Sequence, residues 1–182
     1  MSKKIFYLTG FMASGKSTIG PILANTLGWA FFDIDKEIEK SEKKKITQIF
    51  ASKGEDYFRQ QESEILKKLS KGKYLIVSLG GGTLKSLENR KVINETGKLI
   101  YLRSSADVSY RRLKFKKDRP FLLTENDEQP SEELMMEKIE KLLKERKKYY
   151  EKADYIFDTD YDLIGITVDK IAKTIQKAIS KL

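Results

Sequence analysis

The chain has 182 residues, of which 40% are hydrophobic, and its 36 lysines and arginines outnumber 27 aspartates and glutamates to give a net charge of +9. This length suits one compact domain with its own core, so we expect a single domain over residues 1–182. Cysteine and histidine are absent, which excludes disulfides, thiolate nucleophiles, Ser-His-Asp catalysis and zinc bound by either residue.

The basic charge is concentrated in one segment rather than spread over a face. Six of the nine residues in 111–119 are Lys or Arg, and residues 125–133 contain five acidic residues and no Lys or Arg. Elsewhere Lys and Glu interleave. This pattern does not favour a nucleic-acid partner. No apolar run approaches the ~20 residues of a membrane span, and the first residues lead straight into a strand-like run. We therefore expect no membrane partner, no signal peptide and a reducing, cytoplasmic setting.

Short, nearly continuous apolar runs alternate with helical patterns along the chain. Such runs are typical of strands that are buried on both faces. The predicted strands cover residues 4–9, 30–34, 74–79, 98–102 and 154–158. The predicted helices cover residues 16–27, 47–52, 55–70, 84–95, 106–115, 131–149 and 163–179. This alternation predicts an α/β fold with a parallel sheet between two layers of helices.

Three local features modify this outline. Gly28 follows the first helix directly and predicts its end. Pro21 lies inside that helix and removes a hydrogen bond, at a cost of ~3 kcal/mol, so we expect a kink or an altered turn near Ser17. Segment 116–128 has no regular pattern and is long enough to form a mobile lid.

The most specific motif is G-x-x-x-x-G-K-S at residues 10–17. Its glycines let backbone N–H groups turn toward phosphate oxygens, Lys16 reaches the β- and γ-phosphates, and Ser17 offers a hydroxyl to Mg²⁺. A plain glycine-rich turn is disfavoured because the motif follows a predicted strand and opens a predicted helix. The motif alone does not separate an ATPase, GTPase, kinase or motor. The predicted phosphate-binding residues are Ala13, Ser14, Gly15, Lys16, Ser17 and Thr18.

Two aspartates close the second predicted strand. Asp33 and Asp35 are two residues apart, so on a strand both carboxylates would project from one face. Ligands of open parallel sheets bind at the carboxyl ends of strands. One carboxylate could hold a magnesium-bound water and the other could meet an acceptor hydroxyl. Alternatively, Asp35 is the N-cap of the next helix.

Two arginines are predicted to point inward. Glu62 falls on the apolar face of its helix, where a charge needs a partner, and Arg59 lies within reach three residues earlier. The pair is either a structural link or a means of directing the Arg59 guanidinium at a ligand carboxylate. Arg146 continues the apolar stripe of the helix over 131–149. Two inward guanidinium groups favour an anionic acceptor.

Two further segments are candidates for ligand contact. The glycines at 80–82 follow the third strand and either let a backbone approach a ligand closely or form a loose turn. Arg119 and Pro120 lie in the cationic segment, which either closes over the phosphates or is an ordinary solvated run.

Taken together, these motifs resemble the shikimate kinase family of small P-loop kinases over essentially the whole chain. The resemblance implies a three-layer α/β/α P-loop NTPase fold, a five-stranded parallel sheet of order 2-3-1-4-5, a mobile lid at about 112–128 and acceptor-binding helices at about 35–62. It also implies transfer of the ATP γ-phosphoryl group to the 3-hydroxyl of shikimate, with Mg²⁺ as cofactor. That reaction is a step toward chorismate and the aromatic amino acids.

The resemblance assigns roles to individual residues. Lys16, Asp35 and Arg119 would be catalytic, while Ser17 and Asp33 would serve Mg²⁺. Arg112 and the stretch 157–159 resemble the elements that sandwich adenine, and Arg119 would also contact ATP. The residues that would contact shikimate are Asp35, Arg59, Gly81, Gly82 and Arg146. The alternatives are another small-acid kinase, such as a gluconate kinase, and a nucleic-acid-binding P-loop protein. We expect a monomer.

Overall fold

The computed structural model describes residues 4–114 and 131–180, where five strands form one parallel sheet. The sheet has the order β2-β3-β1-β4-β5, which confirms the predicted order. Each strand begins and ends within one residue of its predicted position. The strands are β1 (Ile5–Thr9), β2 (Ala30–Asp33), β3 (Leu75–Ser78), β4 (Lys98–Arg103) and β5 (Tyr155–Asp158).

Seven helices are described around the sheet. They are α1 (Lys16–Leu27), α2 (Ile34–Glu42), α3 (Ile46–Leu69), α4 (Leu87–Thr96), α5 (Ala106–Leu113), α6 (Glu132–Tyr150) and α7 (Ile164–Ser180). Helix α2 is absent from the predicted helical patterns. Element α3 contains the two predicted helices, 47–52 and 55–70, which are separated by Gly54, whose φ of 80° and ψ of 175° are not helical. The predicted helix 84–95 is a short 3-10 turn, Thr83–Lys85, followed by α4.

Strand β1 is fully buried and divides the core into two halves. Successive side chains of a strand point to opposite faces. Tyr7 therefore packs in a cluster with residues of α2, α3, α4 and α6, while Phe6 and Leu8 pack against α1 and α7. A third, smaller cluster joins Phe11, which follows β1, to α5 and α6. These contacts confirm the predicted arrangement of a sheet between two layers of helices.

Helix α1 ends as predicted and runs through its proline. Gly28 adopts the left-handed conformation, with φ 68°, and the next residue, Trp29, donates its N–H to Ala24 at 2.8 Å. The helix is continuous from Lys16 to Leu27, so the altered turn expected near Ser17 does not interrupt it. Pro21 has no N–H group to donate to the Ser17 carbonyl. Ser17 is exposed.

Some of the predicted features lie outside the described residues. Arg119 and most of the lid expected at about 112–128 belong to this part of the chain; residues 112–113 form the end of α5. Among the described helices, none has the length and apolar character needed to cross a membrane.

Candidate active site

The loop between β1 and α1 has the sharp turns that the P-loop motif requires. Gly10, Ala13 and Gly15 have φ values of 149°, 60° and 102°. A Cβ atom on Gly10 would lie 2.5 Å from the Leu102 carbonyl oxygen, so this position requires glycine. No side chain caps the start of α1. The partial positive charge of the helix N-terminus is therefore directed at the loop, where an anion would bind.

The side chains of the motif divide into those that face the loop and those beneath it. The Lys16 ammonium donates hydrogen bonds to the carbonyls of Gly10 at 2.7 Å and Phe11 at 3.1 Å, so it lies beside the loop. Ser17 and Thr18 are exposed at the start of α1, whereas Ser14 is fully buried. The Ser14 hydroxyl has no hydrogen-bond partner in the described part of the chain.

Arg112 connects the loop to the end of β5. Its guanidinium donates to the Ala13 carbonyl at 3.1 Å and to the Thr159 carbonyl at 2.6 Å. Thr159 is itself fixed, because its backbone N–H and its hydroxyl both donate to the Arg103 carbonyl. Arg112 therefore joins the P-loop to Thr159, the last residue of the predicted stretch 157–159.

The two aspartates do not share a strand face, and that expectation is wrong. Strand β2 ends at Asp33, which is the N-cap of α2 and accepts a hydrogen bond from the Lys36 N–H at 3.3 Å. Asp35 lies in the first turn of α2, so the alternative that Asp35 is the N-cap is also wrong. The physical reason is that the Asp33 carboxylate accepts a hydrogen bond from a free N–H group of the first turn. The helix therefore starts two residues earlier than it would with Asp35 as its N-cap.

Acceptor-side residues from three helices converge on the glycine turn at 80–82. The point that a Cβ would occupy on the first glycine lies 2.5 Å from Glu62 Oε1 and 2.8 Å from Asp35 Oδ1. The corresponding Cβ position on Gly81 lies 2.6 Å from Arg146 Nη1, and that on Gly82 lies 2.5 Å from Arg59 Nη1. Any side chain at these positions would displace the charged groups. The glycines are therefore needed for close approach rather than for a left-handed turn, since none of the three has a positive φ.

Arg59 is held by two carboxylates of its own helix. Its Nη1 donates to Glu62 Oε2 at 3.0 Å, and its Nε and Nη2 donate to Glu55 Oε1 at 3.1 and 3.0 Å. The predicted inward pair with Glu62 is confirmed, since Glu62 is 1% exposed. Burial works to lower the pKa of Arg59, but Glu62 and Glu55 raise it above its usual value. A guanidinium has five N–H donors, so one donor on each terminal nitrogen is left for a ligand.

Arg146 is buried, and no carboxylate of the described residues forms a salt bridge with it. It is 8% exposed and lies over the Phe11 ring, with 5.8 Å between its Cζ and the ring centroid. Its Nε atom has no hydrogen-bond partner within 4–114 and 131–180, nor does any salt bridge reach it there. Burial raises the pKa of the neighbouring Tyr150, and the positive charge of Arg146 opposes that shift. A buried charge is costly unless it is paired, so this pocket lacks one negative charge that an anionic ligand would supply.

The predicted magnesium residues fit a site that is shared with a nucleotide. In the described ranges, no group of three or more acidic, His or Cys side chains could hold a metal ion. Mg²⁺ commonly takes one or two protein oxygens and completes its coordination with phosphates and water. Asp33 pairs in register with Ser78 of β3, which pairs with Leu8 of β1. The Asp33 carboxylate and the exposed Ser17 hydroxyl thus both lie at the carboxyl end of the sheet.

Three residues near Arg59 are not among the sequence-based candidates. Glu55 pairs with Arg59, and the sequence indicates this pair because Glu55 lies four residues before Arg59 on the same helix. Thr83 donates its hydroxyl to Glu62 Oε1 in a short hydrogen bond, and the Asn89 side chain donates to the Thr83 carbonyl at 3.2 Å. Thr83 and Glu62 are 21 residues apart, so no local pattern could reveal that contact.

The fold and the site together define a P-loop small-molecule kinase. A strand, a P-loop and a helix at the carboxyl edge of a parallel sheet form the nucleotide half. Two guanidinium groups and the Asp35 carboxylate lie around the glycine turn, which is the candidate acceptor half. The class of acceptor is therefore a small organic anion that also carries a hydroxyl group.

Comparisons with known proteins identify the family. The family model described as shikimate kinase matches residues 12–179. A shikimate kinase of Chloroherpeton thalassium is 45% identical over 175 residues, covering 96% of this chain and 94% of the relative. A shikimate kinase of Acinetobacter baumannii, solved in complex with shikimate, has a TM-score of 0.85 and 32% identity, covering 96% of this chain and 93% of that chain.

The chain belongs to the shikimate kinase family and is a phosphotransferase. The alternative of a gluconate kinase receives support for the fold alone. A gluconokinase of Sinorhizobium meliloti has a TM-score of 0.62 but only 16% identity, over 99% of this chain and 95% of that chain.

Proposed function

We propose that this chain transfers the γ-phosphoryl group of ATP to the 3-hydroxyl of shikimate. The observation that carries the proposal is the pair of inward arginines, Arg59 and Arg146, on the glycine turn beside Asp35. Shikimate carries a carboxylate and hydroxyl groups on one ring, so its carboxylate can bind the arginines while a hydroxyl lies near Asp35. The Acinetobacter baumannii relative was solved in complex with shikimate, which supports the same assignment.

On the acceptor side, Arg59 and Arg146 bind the carboxylate. Arg59 is oriented by Glu62 and Glu55 and presents its two remaining N–H donors. Charge-assisted hydrogen bonds of this kind are short and strong. Arg146 contributes a buried positive charge that no carboxylate of the described residues pairs with, so ligand binding neutralises it. The backbone of the glycine turn approaches the ligand closely because it carries no side chains.

On the nucleotide side, the P-loop backbone and Lys16 bind the phosphates. Phosphoryl transfer passes through a loose transition state, so catalysis consists mainly of positioning and of charge stabilisation. Lys16 and the N-terminus of α1 stabilise the charge on the transferring group. Asp35 orients the acceptor hydroxyl and accepts its proton late. Arg119, which lies outside the described residues, remains a predicted contact with the transferring phosphate.

Mg²⁺ is proposed as the cofactor, bound through Ser17 and Asp33. When bound, Mg²⁺ neutralises charge on the nucleotide phosphates. Arg112, which joins the P-loop to the end of β5, is proposed to lie against adenine together with the stretch 157–159. We further propose that the enzyme acts in the cytoplasm as a monomer without a nucleic-acid or membrane partner. The chain's lack of cysteine fits a reducing compartment.

An ATP-dependent assay with shikimate tests this proposal. Purified protein is incubated with MgATP and either shikimate or gluconate, and ADP release is followed. The product is then analysed by NMR to locate the phosphate. We expect ADP release with shikimate and a phosphate on the 3-hydroxyl, with Lys16→Met as the inactive control. Turnover with gluconate but not with shikimate, or a phosphate at another position, would contradict the assignment.

A further inference from the structure

A buried polar network lies next to Arg59 and links α3, the 3-10 turn and α4. It consists of Glu62 on α3, Thr83 at the start of the 3-10 turn, and Asn89 in the first turn of α4. Thr83 is 0% exposed, and Glu62 and Asn89 are 1% exposed each. The network reaches a cavity of about 230 Å³ that Arg59, Glu62 and Asn89 help to line. The roles proposed above for Arg59 and Glu62 do not explain the hydrogen bond that Thr83 donates to Glu62.

The two oxygens of Glu62 have separate partners. Oε2 accepts from Arg59 Nη1 at 3.0 Å, and Oε1 accepts the short hydrogen bond from the Thr83 hydroxyl. A buried carboxylate is tolerated only when its charge is paired and its remaining lone pairs are satisfied. Among the described residues, Thr83 is the one hydrogen-bond donor to Oε1. Its hydroxyl therefore fixes which way the carboxylate is turned.

Thr83 is in turn fixed from two directions. Its hydroxyl also lies 3.1 Å from the Gly80 carbonyl, and its own carbonyl accepts from Asn89 Nδ2 at 3.2 Å. A hydroxyl has one hydrogen to donate, and an ionised carboxylate is the stronger acceptor. The Thr83 hydroxyl therefore donates its hydrogen to Glu62. The Asn89 side chain holds the backbone of the turn in place.

The orientation of Glu62 matters because Arg59 has little room. The Arg59 guanidinium lies flat against Gly82, with its Cζ 2.6 Å from the point that a Cβ on Gly82 would occupy. Only one donor on each terminal nitrogen remains for a ligand. If the Glu62 carboxylate rotates, Arg59 Nη1 follows its acceptor and the two remaining donors turn away from the pocket.

We propose that Thr83 is a positioning residue for the acceptor, acting through Glu62 on Arg59. The proposal rests on the proposed function only in that the acceptor is an organic anion bound by Arg59. Thr83 touches neither substrate. Its hydroxyl sets the rotamer of a buried carboxylate, and that carboxylate sets the direction of the guanidinium that binds the ligand. This makes the residue after the glycine triplet a determinant of acceptor affinity.

The test compares two substitutions of Thr83. Thr83→Val keeps the shape of the side chain and removes the hydroxyl, whereas Thr83→Ser keeps the hydroxyl and removes the methyl group. We expect Thr83→Val to raise the KM for shikimate at least about tenfold, because a hydrogen bond to a buried charge is lost. The KM for ATP should stay within about twofold, as expected for a distant site. Thr83→Ser should restore the acceptor KM to near the wild-type value.

Thr96→Val is the matched control, since it also removes a hydroxyl from the neighbourhood of α4. The Thr96 hydroxyl contacts Tyr7 and the Val92 carbonyl rather than the acceptor site. This control should lower the melting temperature while leaving the acceptor KM unchanged. A wild-type acceptor KM in Thr83→Val, or equal losses in Thr83→Val and Thr83→Ser, would overturn the proposal.

Two further outcomes concern the folding of the variants and the acid that the wild-type enzyme prefers. If Thr83→Val does not fold, Thr83→Ala removes the same hydroxyl with no added group. If both are unfolded while Thr83→Ser is folded, the hydroxyl is structural and the proposal is wrong. If the wild-type enzyme prefers another organic acid, the proposed function fails, and the same comparison is made with that acid. Equal acceptor KM values in an active wild type and in Thr83→Val refute the positioning role alone.

Discussion

The nucleotide half and the acceptor half of the site are built in different ways. The phosphate-binding loop is one stretch, residues 10–17, and its chemistry comes mainly from backbone N–H groups, a helix end and Lys16. The acceptor pocket takes side chains from α2, α3 and α6 and brings them together on the glycine turn. The first half depends on local conformation and the second on tertiary packing.

This difference predicts how the two halves respond to substitution. Changes in the loop should affect phosphate binding and turnover, because we propose that the loop stabilises charge on the transferring group. Changes in the pocket should affect the KM for the acceptor, because we propose that its side chains bind that ligand. The four predictions below test this separation.

The largest effect is expected from Lys16→Met. The substitution removes the ammonium group beside the loop, and loss of one such charge-stabilising donor costs about 10²–10³-fold in kcat. Shikimate binding, measured by calorimetric titration, should be nearly unchanged because the Lys16 ammonium lies beside the phosphate-binding loop. Loss of shikimate binding together with turnover would show that the two halves are not separable.

Asp35→Asn should lower kcat by about 10²-fold, the usual contribution of a positioned acid–base group. The amide keeps the shape of the side chain and cannot accept the proton of the acceptor hydroxyl. Steady-state kinetics should give an unchanged KM for ATP. Near-normal turnover in this variant would remove Asp35 from the chemistry and leave it a role in packing against the glycine turn.

Arg59→Lys should raise the KM for shikimate about tenfold or more, since lysine cannot reproduce the fork that binds a carboxylate. The value of kcat should change much less. Gln60→Lys is the matched control, because it adds a lysine at the adjacent, exposed position of α3. An unchanged acceptor KM in Arg59→Lys would mean that the pair with Glu62 is only structural.

Glu55→Gln should give the smallest effect, a rise in the shikimate KM of up to about fivefold, because exposed ion pairs contribute little. The Glu55 side chain is 56% exposed, so salt screens its interaction with Arg59. The rise should shrink further at high ionic strength. A fall in the KM would instead show that Glu55 competes with the acceptor carboxylate for Arg59.

The sequence predicts the loop and the sheet well because both are determined locally. The P-loop motif specifies its residues by spacing, and buried strands appear as short apolar runs. Helix α2 has only Ile34 and Ile38 as buried residues, so its periodic signal is weak. For the same reason Asp35 is predicted on a strand, although the cap at Asp33 already starts the helix.

The acceptor pocket could be predicted only in part. Glu62 and Arg146 stand out because a charge on an apolar stripe needs an explanation. The contact between Thr83 and Glu62 spans 21 residues, and the close approach of Arg59 to Gly82 depends on how α3 packs against the turn. Neither leaves a local trace in the sequence. Such contacts become visible only once the fold brings the segments together.

We propose that Arg59 and Arg146 jointly bind the acceptor carboxylate beside Asp35. A crystal structure with shikimate and ADP tests this binding mode. We expect the carboxylate within hydrogen-bonding distance of both guanidinium groups and the 3-hydroxyl within hydrogen-bonding distance of Asp35. A carboxylate that contacts neither arginine, with the ring bound elsewhere, would contradict it.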